Sequence, residues 1–259
     1  MTDWELRDSG PADAAHTVLL LPGGMCSAGS YAEVMAQPAL ASMRMVAATL
    51  PGHAGAPPPE SYTIEHNAQL AAELAAKVSA DVVVGFSMGA TVAFEMVCSG
   101  AFKGPAVLTG ISLSSKDEAA IFMAIVKLGN VLGGVPSAML AKLAAAMIKK
   151  LPVPPERVQE LRADFRKNVP QHIRQSLREY ARYLHKYDDP AAKLCGAGNP
   201  TWVVHAEKGD GGLTDAERRT LEACAHVHVV TIPGNVFFLP PEVPDRIAQV
   251  IVEAVGSAT

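Results

Sequence analysis

The 259 residues carry a net charge of −4, with 49% hydrophobic and 19% charged side chains. That length suits one domain with an insertion rather than two full domains, and so large an apolar fraction excludes a disordered chain. With no long basic run, a surface for a nucleic-acid backbone is excluded too.

The first ten residues are acidic and polar, with no apolar stretch behind a basic start. They predict no secretory signal and a cytoplasmic protein. Short apolar runs then alternate with helical patterns, the mark of a mostly parallel sheet covered by helices on both faces. Strands are expected at 16–21, 43–50, 81–84, 106–113, 201–205 and 227–232. Between them, 64–79 has Leu and Ala at helical spacing, 88–99 reads as a short apolar helix, and 244–255 as an amphipathic one. From 114 to 198 the alternation stops and helices follow one another, with breaks at 133–136 and 151–155. The expected organisation is a core of 1–113 and 199–259 with a helical lid at 114–198. Within that lid Val158, Leu161, Phe165, Val169, Ile173 and Leu177 form an apolar stripe suited to packing. The most apolar stretch, 121–151, is interrupted by Lys127, Lys142, Lys149 and Lys150, so it falls short of a membrane span. Cys26, Cys98, Cys195 and Cys224 match neither a disulfide framework nor a metal-ligand spacing and are expected to be free thiols.

Gly85-Phe86-Ser87-Met88-Gly89 follows a strand directly and opens a helix. Its glycines allow a turn so sharp that the serine oxygen stands free above the sheet, over a helix N-terminus. Upstream, Leu21-Pro22-Gly23-Gly24-Met25 ends the first strong strand. The N–H groups of Gly24 and Met88 are therefore the expected oxyanion hole, and Ser87 the expected catalytic residue.

With these motifs the chain resembles the α/β-hydrolase superfamily from Thr17 to Val255. Leu50-Pro51-Gly52-His53 looks like that family's loop after its next strand, Pro200 to His205 like the strand before its acid, and Ile232-Pro233-Gly234 like the approach to its histidine. The resemblance implies an α/β-hydrolase fold, a serine nucleophile, an acid and a histidine. Two of these positions depart from the pattern. The run after Gly234 aligns without a gap and places Phe237 where the histidine belongs. The acid would fall at Gly209, whereas the aspartate present is Asp210, a possible displaced acid or a plain loop residue.

Removing the catalytic histidine of a serine hydrolase lowers turnover on the order of a million-fold, roughly 8 kcal/mol of barrier. His53, His205, His226, His228, His16, His66, His172 and His185 all fit structural roles, with a lid histidine such as His172 or His185 as the alternative base. Met25, Cys26, Val236, Phe237 and Phe238 are expected to line an apolar substrate pocket. An oxyanion hole without an imidazole can still stabilise an enolate. In that respect the chain resembles the triad-deficient epimerases of bottromycin-type biosynthesis. That resemblance implies inversion of an aspartate α-carbon in a ribosomally made, modified peptide, with the substrate's own carboxylate moving the proton. The alternatives are a serine esterase, thioesterase or lactonase with an unrecognised base, and a non-catalytic protein that binds a small molecule or peptide. No cofactor or metal motif is visible. The expected partner is a small-molecule or modified-peptide substrate, with no membrane and no nucleic acid; the oligomeric state is open.

Overall fold

The computed structural model describes residues 3–117, 146, 148–149, 151–210 and 212–258. The strands are β1 (Leu6–Ser9), β2 (Thr17–Leu21), β3 (Arg44–Ala48), β4 (Val82–Phe86), β5 (Ala106–Thr109), β6 (Thr201–Lys208) and β7 (Val227–Asn235). They form one sheet in the order β1-β3-β2-β4-β5-β6-β7. All neighbours are parallel except the edge strand β1, which runs antiparallel to β3. β2 and β4 are buried along their whole length, which is why they read as unbroken apolar runs rather than alternating ones.

The described helices are α1 (Ala32–Met35), α2 (Ile64–Val78), α3 (Met88–Cys98), α4 (Pro155–Arg166), α5 (Pro170–Tyr183), α6 (Pro190–Ala197), α7 (Asp215–Glu222), α8 (Leu239–Glu242) and α9 (Pro244–Gly256). Caps define their ends. Thr63 accepts from the His66 N–H at the start of α2, which stops at the left-handed Ser79, and Thr214 with Glu217 forms a reciprocal capping box on α7. Every residue of α3 is buried, so it needs no polar face and its sequence shows little periodicity.

The strands expected at both ends of the chain are present, with altered lengths. β5 ends at Thr109 rather than residue 113, while β7 runs on to Asn235 alongside β6, with a register irregularity between Ala206 and Lys208. β1, α1, α7 and α8 were not expected: β1 is short and mostly exposed, and α1, α7 and α8 have four, eight and four residues, too short for a clear period. The apolar stripe is interrupted. Pro170 starts α5, and Val169 before it is 40% exposed, whereas Leu161, Phe165, Ile173 and Leu177 are buried. The expected break at 133–136 lies outside the described residues, as does most of the apolar stretch 121–151. No described helix is long and apolar enough to cross a membrane.

One expectation about cysteines is overturned. Cys195 and Cys224 form a disulfide, while Cys26 and Cys98 are free. Their 29-residue separation carries no recognisable pattern, but α6 and α7 pack together and bring the two Cα atoms to 5.9 Å, within bridging range.

α5 is tied to the core through a buried carboxylate. Glu95 on α3 is 5% exposed and accepts from Tyr183 Oη at 2.5 Å, Tyr187 Oη at 3.0 Å and Lys186 Nζ at 2.8 Å. Burial and this carboxylate push the Tyr183 phenol well above its ordinary pKa. A carboxyl group so enclosed is tolerated because each oxygen has a donor.

Candidate active site

Ser87 follows β4 and precedes α3, with φ 50° and ψ −118°. A non-glycine residue there costs on the order of 1–3 kcal/mol and persists only where its surroundings impose it. The surroundings do so. A Cβ on Gly85 would stand 2.4 Å from Ala90 Cα, and one on Gly89 2.1 Å from the Leu21 carbonyl oxygen. Only glycine lets α3 rise so close to β4 and β2.

The loop after β2 arrives beside this turn. A Cβ on Gly23 would lie 3.4 Å from Ser87 Cβ, and one on Gly24 would lie 3.2 Å from Met88 Cε. The structure thus brings Ser87, Met88 and Gly24 together. Met88 opens α3, so its N–H has no acceptor within the helix. Among the described residues the Gly24 N–H has none either. Two such donors beside a serine can receive an oxygen that gains negative charge.

Nothing among the described residues hydrogen-bonds Ser87 Oγ, and all eight histidines are described. His53 is buried and occupied: Met25 N–H donates to its Nδ1 at 2.8 Å, so the proton sits on Nε2, which faces Ser176 Oγ at 2.9 Å. Burial, with His172 nearby, pulls its pKa down to about 4. His172 packs against Tyr62, His228 stacks on Trp202, and His16 faces Asp81.

The segment matching the family's histidine loop is ordered by one carboxylate. Glu242 Oε1 accepts from the N–H groups of Phe237 and Phe238, at 3.1 and 2.6 Å. The two rings consequently diverge. Phe238 is 5% exposed and stacks on Phe86 with ring centres 5.2 Å apart, whereas Phe237 is 44% exposed.

A small hollow beside the loop after β2 is lined by Met25, Cys26, Ser27, Phe165, Phe238 and Asp164, among others. Of the five residues expected in an apolar substrate pocket, Met25, Cys26 and Phe238 line this hollow, and Val236 and Phe237 lie outside its lining. Val236 is buried, its N–H donated to the Lys208 carbonyl. Burial and the Asp164 carboxylate push the Cys26 thiol up to about 12, so it remains a protonated, inert lining group.

Asp210 turns inward. Its carboxylate is 3% exposed and accepts from Ala206 N–H at 2.9 Å, with His205 Nδ1 at 3.1 Å. The preceding position cannot carry a side chain. At position 209 a Cβ would lie 2.5 Å from Asn235 Oδ1 and 2.7 Å from the Val236 carbonyl, at φ +108°. Only glycine fits there. The Asp210 carboxylate is partnered by His205 on β6.

The sequence reading did not single out Asn168 or Ser176, which the structure places beside this turn. Asn168 Nδ2 donates to the Met25 carbonyl at 2.8 Å, and its Oδ1 accepts from Ala54 N–H at 2.8 Å. No pattern marks it beyond its place between two helices. No group of three His, Cys, Asp or Glu among the described residues could hold a metal ion.

The family model described as the alpha/beta hydrolase family matches residues 18–250. Solved structures of similar fold include an esterase from Thermogutta terrifontis, at 18% identity and TM-score 0.75 over 98% of this chain and 93% of that one. The enol-lactonase from Burkholderia xenovorans LB400 is 16% identical, with TM-score 0.76 over 98% and 97%. The epoxide hydrolase CorEH is 16% identical, with TM-score 0.73 over 100% and 99%. No curated protein sequence matches the chain. Together with the sheet order, the strained serine turn and the family match over nearly the whole length, this chain belongs to the alpha/beta hydrolase family.

Proposed function

We propose that the protein is an enzyme acting on carbonyl compounds of the ester, thioester or lactone class, with Ser87 facing the carbonyl carbon. The N–H groups of Gly24 and Met88 receive the oxyanion, and the segment 114–198 acts as a lid. The observation that carries this reading is the strained Ser87 held against the Gly23-Gly24 loop at the start of α3. The esterase and lactonase among the fold relatives support it.

The absent imidazole sets a chemical limit. With no described side chain to take the Ser87 proton, only the helix dipole and the oxyanion hole lower the barrier. Substrates with good leaving groups, such as aryl esters and thioesters, are then favoured, because their acyl transfer needs least help from a base.

A second reading is favoured by Phe237 in the histidine slot. The same two N–H groups stabilise an enolate, and a carboxylate of the substrate removes the α-proton. Epimerisation of an aspartate α-carbon in a modified, ribosomally made peptide is the concrete form of this reading.

Intact-mass analysis after treatment with a fluorophosphonate tests both, comparing the unaltered protein with Ser87→Ala and Phe237→His. Acyl chemistry predicts labelling that disappears in Ser87→Ala and accelerates in Phe237→His. No labelling of the unaltered protein, together with α-proton exchange of an aspartate-thiazoline peptide in deuterated water, would transfer the assignment to the second reading.

A further inference from the structure

We propose that the connection between α4 and α5 positions the oxyanion hole, with Asn168 as the positioning residue that joins the two. The inference rests on the reading above in which Gly24 N–H receives the oxyanion.

Met25, next to Gly24, is a non-glycine residue at φ 67°, and Ala54 is another at φ 46°. Neither side chain favours that backbone, so each needs external partners to hold it. One side-chain amide serves both. Asn168 Nδ2 donates to the Met25 carbonyl and Asn168 Oδ1 accepts from Ala54 N–H, each at 2.8 Å, while Nδ2 also donates to Phe165 O at the end of α4. The other polar group of Met25, its N–H, donates to His53 Nδ1. Both handles of the strained residue are therefore taken by side chains.

His53 returns the connection to the same helical pair. Its Nε2–H faces Ser176 Oγ on α5, and Ser176 donates to Met88 Sδ at 3.4 Å. Met88 is the other oxyanion residue. The circuit from Met25 through His53 and Ser176 to Met88 is buried at each step.

Further along the loop, Ser27 Oγ donates to Asp164 Oδ2 at 2.5 Å, and Arg157 binds the Gly29 carbonyl and Glu33. Asp164, Arg157, Asn168 and Ser176 all lie between residues 157 and 176. The loop from Met25 to Glu33 is thus held from outside the sheet, by α4, α5 and their connection. If Asn168 lets go, Met25 relaxes toward an ordinary backbone. Its downstream neighbours stay anchored by Asp164 and Arg157, so the adjustment falls on Gly24. Because a misplaced donor acts on the developing charge rather than on substrate affinity, the effect belongs in kcat.

The test uses the full chain with p-nitrophenyl acetate, together with amide hydrogen exchange at Met25 followed by NMR. Asn168→Ala should lower kcat at least tenfold with KM within twofold, and accelerate Met25 exchange at least tenfold. Ser176→Ala, which leaves Asn168 in place, should lower kcat by a smaller factor. It serves as the informative variant if Asn168→Ala does not fold. Unchanged kcat and unchanged Met25 exchange in the variant that folds would overturn the proposal. Should the unaltered protein show no Ser87-dependent turnover, the carbonyl-site reading falls. The exchange at Met25 then decides alone whether Asn168 holds the loop.

Discussion

Gly89 and Gly196 show how differently one added methyl group acts in this chain. At Gly89 the new Cβ would meet the Leu21 and Pro22 carbonyls at 2.1 and 2.5 Å, and neither strand nor helix can yield without opening the turn at Ser87. Gly89→Ala should lose about 3 kcal/mol or more, read as a drop in the urea midpoint. Gly196, on α6, has nothing within 4 Å of that position. Gly196→Ala should instead gain about 0.5–1 kcal/mol through helix propensity and a less flexible unfolded chain. Glu95 is a third kind of residue. Glu95→Ala leaves Tyr183 Oη and Lys186 Nζ without their shared acceptor, so a loss of about 3–5 kcal/mol is expected in the same assay. The glycines of the turn were legible in the sequence because their spacing obeys a local rule. The partners of Glu95 were not, since they lie 88 to 92 positions away.

At the scale of elements, the disulfide ties α6 to the residues just after α7. Closing a loop of 29 residues restricts the unfolded chain by about 3–4 kcal/mol in the chain-entropy model. Cys195→Ala with Cys224→Ala should lower the melting temperature accordingly, and a reducing agent should do the same to the unaltered protein. An unchanged melting temperature in both would mean that the bridge does not form in solution. Strands and long helices were recognisable because burial on two faces leaves an unbroken apolar run and burial on one leaves a period. β1, α1, α7 and α8 were not, because eight residues or fewer carry too little pattern to stand apart from a loop. The phenylalanine pair belongs here too. Sequence alignment placed Phe237 at the histidine slot, but the grip of Glu242 on two successive N–H groups decides that Phe238 faces Phe86 while Phe237 is exposed.

For the molecule as a whole, two buried groups push stability in opposite directions with pH. His53 stays neutral in the fold, with its pKa near 4 against about 6.5 in the unfolded chain. Between those values the unfolded state binds the extra proton. Its contribution, about 3 kcal/mol, is therefore complete above pH 6.5 and is lost as pH falls toward 4. His172 is the titratable neighbour on that side. Asp117 does the reverse: burial and the adjacent Glu217 raise its pKa, so the folded state keeps a proton that the unfolded chain releases. That contribution is complete below the unfolded value of 3.8 and is lost as pH rises from there to about 7. Both windows fall between about pH 4 and 7, so the two slopes largely offset each other in the urea midpoints measured there. Asp117→Asn should leave the His53 slope unopposed, so its urea midpoint should rise more steeply from pH 4 to 6.5 than that of the unaltered protein, and an unaltered slope in that variant would exclude Asp117 as the opposing group.

The sequence by itself determined the parallel sheet, the strained turn around Ser87, the Gly24 loop beside it and the missing histidine. Each of these is written within a few consecutive residues, where backbone sterics and strand or helix period act directly. Only the tertiary structure decided that Cys195 meets Cys224, that Asp210 turns inward onto His205, and that Asn168 grips Met25 from 143 positions away. Those contacts depend on how whole elements dock, and docking is governed by the summed packing of many side chains rather than by any local run of sequence.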